Sequence, residues 1–384
     1  MNTPLDTKPH YELLDALRGV AALMVVCYHV CEGYAFAAGF PVIEGINHGY
    51  LAVDFFFLLS GFVVSYAYDS RWATTLTLPA FFKRRLIRLH PMVVMGTLCG
   101  LAAFCLQGGT QWDGTQSSPW AVTLSVCCAL LLLPVWPGSA AEVRGNGEMF
   151  PLNGPAWSLF FEYVGNLLYA LLIRRLSLRV LKLWVLLCGL GYGLFASLDA
   201  AGYGNMGVGW TLQGINLPGG LLRMLFPFSF GMLLARTFRP RPLRGAFWIA
   251  ALLLVALLWV PSIPGQLGIL SLNGLYETAC VCVAFPLVLH IAASGQASDA
   301  GTSRLSRFLG DISYPLYLTH YPFMYLFYAW LTDTRQYSFG QTWPVALCLV
   351  AGCIGWSWLC MRFYEKPLLR ILRNRWTDSK QKQS

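Results

Sequence analysis

Charged side chains are scarce in this sequence. Asp, Glu, Lys and Arg make up 12% of its 384 residues, whereas an average soluble domain has roughly 25%. Hydrophobic residues make up 56%, and a soluble domain of that composition would leave large apolar patches in contact with water. The composition therefore excludes an ordinary soluble enzyme and favours a protein that lies in a lipid bilayer.

Acidic residues are scarcer than basic ones, with 18 Asp and Glu against 27 Lys and Arg. In a soluble protein this excess would suggest a nucleic-acid partner. Here the basic residues lie in short groups between apolar runs, as they do in the cytoplasmic loops of membrane proteins, so we expect no nucleic acid. The groups are Lys83, Arg84, Arg85 and Arg88; Arg174, Arg175, Arg179 and Lys182; Arg236, Arg239, Arg241 and Arg244; Arg304 and Arg307; and Lys366, Arg370, Arg373, Arg375, Lys380 and Lys382.

Long apolar runs recur from end to end, and no soluble domain fits between them. Crossing the hydrocarbon core of a bilayer takes about 20 helical residues. Eleven runs approach that length: 14–34, 50–68, 90–106, 120–136, 156–173, 181–198, 217–235, 246–262, 272–293, 308–330 and 342–361.

The basic groups constrain how many of these runs cross. If every group is cytoplasmic, an even number of crossings separates neighbouring groups, yet 89–173 contains three runs. We expect 120–136, which is short and flanked by prolines, to be re-entrant or interfacial. The sequence thus predicts an all-α polytopic bundle of about ten transmembrane helices with both termini cytoplasmic. Residues 11–373 form one membrane domain, and 374–384 form a polar, disordered cytoplasmic tail.

Patterns typical of disulfides, metal sites and internal repeats are missing. The 12 cysteines lie in or at the ends of apolar runs, with no C-x-x-C pair and no Cys/His spacing typical of zinc, so we interpret them as reduced thiols. We expect no bound metal. The absence of an inverted repeat argues against the commonest transporter architectures.

Ionisable residues inside apolar runs are costly and usually functional, so they are the most informative residues here. The first run, LDALRGVAALMVVCYHV, contains Arg18 and His29. Eleven helical residues return to nearly the same face about 16 Å further along. A guanidinium suits phosphate or carboxylate, and an imidazole suits proton transfer or acyl capture. An Arg at the membrane interface and a structurally satisfied His remain the alternative.

The second run, VDFFFLLSGFVVS, buries Asp54 and Ser60. A buried carboxylate needs a partner, and Arg18 or His29 of the preceding helix is the obvious candidate. An Asp that orients a catalytic imidazole is one reading, and a structural Asp–Arg pair is the other. Ser60 could also be a small residue that lets helices approach closely.

Arg85 and Arg88 lie three residues apart in FFKRRLIRLHP, with Arg84 beside them. Such a group binds either anionic lipid headgroups or the phosphates of a nucleotide-bearing substrate. The sequence alone does not separate these two readings.

Two further runs carry polar residues that do not suit lipid. NGPAWSLFFEYVGN contains Asn153, Trp157 and Glu162, and LGDISYPLYLTHYP contains Tyr317 and His320. Prolines at positions 315 and 322 should bend the second of these helices and free backbone carbonyls toward a cavity.

In combination, these segments resemble the acyltransferase 3 family of bacterial membrane O-acyltransferases. The matching stretches are the first run, VDFFFLLSGFVVS, FFKRRLIRLHP, WSLFFE, ISYPLYLTH and the C-terminal FYEKPLLR. They occur in the family's order from about Tyr11 to Arg373. Arg18 and His29 match the family's Arg-x10-His, and Arg85 and Arg88 match its Arg-x-x-Arg.

The resemblance implies a bacterial inner-membrane enzyme that transfers an acyl group, usually acetyl, to a hydroxyl of an envelope or exported glycan. The donor would be cytoplasmic acyl-coenzyme A, with no permanently bound cofactor, and polysaccharide-assembly proteins are possible partners. Many relatives carry an additional hydrolase-like domain, which we do not expect in this protein. A transporter or flippase of a sugar, lipid or acyl donor is the alternative function, and a non-catalytic assembly component is the third.

These implications give each candidate residue a role. His29 would be the base or the acyl carrier, Arg18 would assist it, and Asp54 or Glu162 would hold its tautomer. Acyl-coenzyme A would bind Arg84, Arg85, Arg88 and Ser60, with its phosphates at the basic edge and its thioester near His29. The expected acceptor-binding residues are Asn153, Trp157, Tyr317 and His320.

Overall fold

The computed structural model describes residues 11–39, 46–239, 242–295, 300–335 and 338–381, with side chains to residue 375. It is 74% helical, and its only paired strands within these ranges are β1 (Gln266–Leu267) and β2 (Leu270–Ser271). Arg241 and Lys382 of the basic groups lie outside the described residues, as does the side chain of Lys380.

The helices follow the apolar runs closely. They are α1 (Glu12–Ala37), α2 (Ala52–Tyr68), α3 (Leu78–Leu106), α4 (Pro119–Leu130), α5 (Ala156–Leu171), α6 (Leu178–Ser197), α7 (Asn216–Thr237), α8 (Ala246–Trp259), α9 (Leu272–Ala279), α10 (Phe285–Ala293), α11 (Ala300–Thr319), α12 (Tyr321–Thr334), α13 (Phe339–Leu359) and α14 (Lys366–Gln381). Short π-helical segments, Cys280–Ala284 and Cys360–Glu365, join α9 to α10 and α13 to α14.

Eight helical segments of the described chain are long and apolar enough to cross a membrane, which confirms the polytopic all-α class. Helix α8 is shorter, at 14 residues. The predicted run 308–330 is divided at His320 into α11 and α12, and neither meets the length and hydropathy of a full span. The count of about ten crossings therefore stays a prediction, since it needs α8 and the α11–α12 pair to cross as well.

Helix α4 has the geometry expected of a re-entrant or interfacial segment. Its 12 residues extend about 18 Å, well short of a hydrocarbon core of about 30 Å. Both flanks return to one loop: the Ser117 hydroxyl donates to the Val143 carbonyl at 3.0 Å, and the Val135 amide donates to the Met149 carbonyl at 2.9 Å. A segment that starts and ends at the same loop does not cross the bundle.

The C-terminal tail differs from the prediction. Residues from 374 onward were expected to be disordered, but α14 continues to Gln381. The segment is rich in Leu, Arg, Lys and Gln, all strong helix formers, and contains no proline or glycine after Pro367.

Glycines permit the closest helix contacts in the core. A Cβ on Gly61 of α2 would lie 1.9 Å from the Phe228 carbonyl oxygen of α7, and one on Gly231 of α7 would lie 2.0 Å from the Leu58 carbonyl oxygen. Small residues let helix backbones touch in membranes. This contact fixes α7 against α2, while Gly19 similarly lets α1 approach Leu309 of α11.

Gly61→Ala should therefore destabilise the protein, because the new methyl group would collide with rigid backbone. We expect a cost of about 1–3 kcal/mol, as for other overpacked cores. Thermal unfolding in detergent measures this as a lower midpoint. Gly355→Ala in α13 is the matched control, since a Cβ there meets no atom within 4 Å, and equal midpoints for the two variants would contradict the prediction.

Candidate active site

His29 forms a close pair with a carboxylate of its own helix. Its Nδ1 lies 2.6 Å from Oε2 of Glu32, one turn further along α1. The Tyr328 hydroxyl of α12 lies 2.9 Å from the same carboxylate oxygen and 2.8 Å from the His29 carbonyl. With Nδ1–H donating to Glu32, Nε2 of a neutral His29 carries the lone pair and can accept a proton.

A second imidazole packs beside the first. The rings of His29 and His320 are stacked with centres 5.4 Å apart, and the Tyr321 ring meets His29 edge-on at 4.7 Å. His320 is fully buried, and its Nδ1 lies 2.9 Å from the Leu316 carbonyl. Its Nε2 has no hydrogen-bond partner among the described residues.

The break between α11 and α12 creates this arrangement. Pro322 has no N–H with which to reach the carbonyl of Leu318, four residues earlier. That carbonyl instead accepts a hydrogen bond from Nδ2 of Asn153 at 2.9 Å, which confirms that the proline frees a backbone acceptor. The chain turns at His320 as a result and brings His320 and Tyr321 against His29.

Asp54 does not orient His29, and this corrects the predicted pairing. It is completely buried and pairs with Arg223 of α7, whose Nη2 lies 2.7 Å from Oδ2. Arg223 also donates to the carbonyls of Val208 and Tyr50, both at 2.9 Å, and lies over the ring of Trp157. Asp54 therefore belongs to the structural Asp–Arg alternative, with an arginine that the sequence analysis did not identify.

Glu162 is also engaged elsewhere. Its Oε1 accepts hydrogen bonds from Nη2 of Arg85 and from the hydroxyl of Ser60, each at 2.7 Å. The carboxylate thus joins α5 to α3 and α2 and does not reach His29. Arg85 and Ser60, both predicted to bind the donor, are brought together by it.

The other basic candidates lie toward the start of α1 and α3. Arg18 pairs with Asp15 at 2.7 Å on the same face of α1. Arg85 is buried, Arg84 is half-buried and Arg88 is exposed, so the three side chains differ in their access to solvent. We define the basic end of the bundle as the end where Arg236, in the last turn of α7, pairs at 2.8 Å with Asp69, which directly follows α2.

The predicted acceptor-binding residues divide into two groups. His320 stacks on His29, and the other two residues lie beside His320: Tyr317 packs on its ring at 6.1 Å and Asn153 donates to the carbonyl of Leu318. Trp157 instead packs on Phe57, Phe161 and Arg223, away from the two histidines. The structure therefore does not bring Trp157 to the same site.

Two buried residues from the loop before α5 complete the neighbourhood. Both phenols of Tyr321 and Tyr325 donate to the carboxylate of Glu148, the first at 3.5 Å. Arg144 lies over Tyr325, with its guanidinium carbon 3.6 Å from the ring centre. Burial raises the pKa of Glu148 to about 7.

Sequence reasoning missed Glu32, Arg223, Arg144 and Glu148. Glu32 had a local signal, because it follows His29 by three residues and so lies on the same helix face. Arg223 is an ionisable residue inside the seventh apolar run, which is the same signal that identified Asp54. Arg144 and Glu148 lie in a loop of ordinary polar composition and had no such signal.

The structure offers no cluster of metal ligands. Within the described ranges, no three His, Cys, Asp or Glu side chains lie close enough to hold an ion together. The groups around His29 instead provide one base, one orienting carboxylate and several hydrogen-bond acceptors. This set suits the transfer of a proton from a hydroxyl.

Breaking the buried Asp54–Arg223 pair should destabilise the protein far more than breaking an exposed pair. Removing one partner of a buried pair leaves an uncompensated charge and costs about 3–5 kcal/mol, so Asp54→Ala should strongly lower the unfolding midpoint in detergent. Asp311→Ala is the control, because its pair with Lys366 is about half exposed and such pairs contribute about 0–1 kcal/mol. Similar midpoints for both variants would contradict this assignment.

Comparisons with known proteins point in one direction. A family model named Acyl_transf_3, an acyltransferase domain, matches residues 11–362. The chain is 27% identical to acyltransferase MdmB of Streptomyces mycarofaciens over 94% of its own length and 92% of the relative. It is 38% identical to protein 2 in the picA locus of Rhizobium radiobacter over 41% of its own length and 80% of the relative.

No solved structure is significantly similar to this chain. The family match nevertheless covers nearly the whole membrane bundle, including both histidines, the Arg85–Glu162 pair and the helix break at His320. The protein is therefore a membrane acyltransferase, and the chain belongs to the acyltransferase 3 family.

Proposed function

We propose that this acyltransferase transfers an acyl group, usually acetyl in its family, from acyl-coenzyme A to a hydroxyl of an envelope or exported glycan. The observation that carries the proposal is the 2.6 Å contact between His29 Nδ1 and Glu32 inside an apolar helix. A base held by a carboxylate in this way is what O-acylation requires, because a hydroxyl is a weak nucleophile until its proton is removed.

The reaction uses His29 as a general base and then as a general acid. The acceptor hydroxyl gives its proton to Nε2 while its oxygen attacks the thioester carbonyl. The carbon–sulfur bond of the resulting tetrahedral species then breaks, and the leaving thiolate takes the proton back from Nε2. Glu32 fixes the Nδ1–H tautomer and stabilises the imidazolium that forms between the two steps.

The donor would lie along the interior faces of α1, α2 and α5. Arg18 lies eleven residues before His29, a distance of about 16 Å along the helix. The adenosine phosphates of coenzyme A carry several negative charges, which suit Arg18, Arg85 and Arg88 near the basic end. The long pantetheine arm then suits the separation between those charges and the thioester beside His29.

The compartments follow from charge. Short loops rich in Lys and Arg stay cytoplasmic, so we assign the basic end to the cytoplasm and both termini with it, in a bacterial inner membrane. His29 lies toward the opposite end of α1, where an exported acceptor would arrive. The loop that contributes Arg144 and Glu148 lies on that acceptor side.

His29→Ala should abolish acyl transfer, since general bases typically contribute about 10²–10⁴-fold. The assay follows free thiol released from acetyl-coenzyme A by purified protein with an extract of envelope glycan. Binding of coenzyme A should persist, because the phosphate-binding residues are unchanged. His290→Ala is the control, since that imidazole is exposed on α10. Turnover at the wild-type rate in His29→Ala would contradict the proposal.

Glu32→Gln should lower kcat while leaving KM for acetyl-coenzyme A nearly unchanged. The amide keeps the size of the side chain but not the charge that stabilises the imidazolium. We expect a rate between those of the wild type and His29→Ala. A kcat equal to that of the wild type would remove Glu32 from this role.

Arg88→Gln should raise KM for acetyl-coenzyme A by about 10-fold and leave kcat nearly unchanged, since a hydrogen bond to a charged group contributes about 1.5–3 kcal/mol. Increasing salt should reduce the difference in KM between this variant and the wild type. Arg179→Gln is the matched control, because that side chain is also exposed and lies at the start of α6. Equal KM values for the two variants would favour lipid contact as the role of Arg88.

A further inference from the structure

The interior beside Tyr321 holds buried hydrogen-bond acceptors that have no donor among the described residues. Nε2 of His320 is one of them, because Nδ1 faces the Leu316 carbonyl and so carries the ring proton. Oδ1 of Asn153 is another, since Nδ2 of the same amide is engaged with Leu318 and Oδ1 has no partner. Both residues are more than nine-tenths buried.

Glu148 adds further accepting capacity on the same side. A carboxylate has about four lone-pair positions, and within the described residues that of Glu148 accepts from the phenols of Tyr321 and Tyr325 and from the side chain of Asn146. It lies close to the backbone next to Asn153: a Cβ on Gly154 would be 3.2 Å from its Oε1 and 2.7 Å from the Tyr321 ring. Glu148, Asn153 and Tyr321 therefore share one small region.

His29 contributes the fourth acceptor. Its Nδ1 is engaged with Glu32, so Nε2 carries a lone pair, and Tyr321 lies against its ring. The nearby donors without partners, Nη2 of Arg144 and Nε1 of Trp112, belong to residues that pack on Tyr325. The region around Tyr321 is thus rich in acceptors.

A buried polar group without a partner is costly, and a ligand that supplies the missing partner gains that energy. The complementary ligand must donate several hydrogen bonds. The carboxylate of Glu32 and the unpartnered hydrogen-bond acceptors disfavour an anion, while the guanidinium of Arg144 disfavours a cation. A neutral molecule with several adjacent hydroxyls satisfies both conditions.

We propose that the acceptor binds beside Tyr321 as a neutral polyol, with hydroxyls adjacent to the acylated one donating to His320, Asn153 and Glu148. The reacting hydroxyl donates to Nε2 of His29. This assignment rests on the proposed function and narrows it: the enzyme selects acceptors by hydroxyls that do not react. Acceptors whose neighbouring hydroxyls are methylated, or replaced by a carboxylate, bind poorly.

The test uses the purified full-length protein in detergent with acetyl-coenzyme A. Thiol release is followed while methyl α-glucoside, methyl α-galactoside or methyl α-mannoside is added, and then with the fully O-methylated form of each and with glucuronic acid. A bound polyol either accepts the acyl group, which raises the rate of thiol release, or displaces the water that would hydrolyse the thioester, which lowers that rate.

At least one free glycoside should change the rate at concentrations about 10- to 100-fold below those needed for its O-methylated form or for glucuronic acid. Equal potency of the free and methylated sugars would overturn the proposal, because the methylated sugar keeps the ring and its stereochemistry but has no hydroxyl that can donate. No response to any free glycoside, in a preparation that turns over with envelope glycan, would also overturn it while leaving the acyltransferase reaction intact. No turnover under any condition would instead contradict the proposed function.

A pair of asparagines provides a matched mutational test. Asn153→Leu removes the unpartnered oxygen. It should raise the glycoside concentration needed to change the rate of thiol release by about 10-fold. Asn166→Leu is the control, because Asn166 is equally buried, donates from Nδ2 to a backbone carbonyl at 2.7 Å and also has an unpartnered Oδ1. It lies on α5 beyond Glu162, away from Tyr321. A shift of the same size in both variants would show that loss of a buried amide, and not loss of an acceptor contact, weakens the response.

Discussion

An ionised side chain inside an apolar bundle is stable only if an opposite charge or several hydrogen bonds meet it. The interior of this protein follows that constraint. Asp54 meets Arg223, and Glu162 meets Arg85, each at 2.7 Å. These pairs join helices that are distant in sequence, so the same contacts that satisfy the charges also set the positions of α2, α3, α5 and α7. The site around His29 depends on that frame, because α1 and α11 pack against it.

The sequence predicted the helices well and their partners poorly. Hydropathy identified the runs because a membrane-spanning helix must be apolar along most of its length. Parity indicated that one of the three runs in 89–173 does not cross, and short length and flanking prolines pointed to the run that forms α4. It did not show that Arg223, 169 residues after Asp54, would take the place of Arg18 or His29 as its partner. Pairings of this kind are decided by how helices pack, and one sequence does not record that packing.

The helix break at His320 was predicted from a local sequence feature, but the contacts that result from it are visible only in the structure. Pro322 predicted a bend and a freed carbonyl, and both are present. The donor to that carbonyl is Asn153, from the loop before α5. This single hydrogen bond links the acceptor-side loop to the turn that carries His320. Oδ1 of Asn153 has no partner among the described residues. The same side chain therefore provides a structural hydrogen bond through Nδ2 and an unused hydrogen-bond acceptor through Oδ1.

The distribution of satisfied and unsatisfied groups separates the donor side of the interior from the acceptor side. Toward the basic end, Arg18, Arg85, Ser60 and Glu162 are joined to one another or to a neighbour, and a polyanionic donor would compete with carboxylates for the arginines. Beside Tyr321, Nε2 of His320 and Oδ1 of Asn153 have no hydrogen-bond partner among the described residues. A ligand that donates hydrogen bonds to these two atoms would displace no existing hydrogen bond of either atom. With acyl-coenzyme A as the proposed donor, binding would exchange these ion pairs and be sensitive to salt, whereas binding of the proposed glycan would depend on which hydroxyls are present. His29, oriented by Glu32, lies between these two regions. Each proposed substrate would therefore be selected by a different kind of interaction.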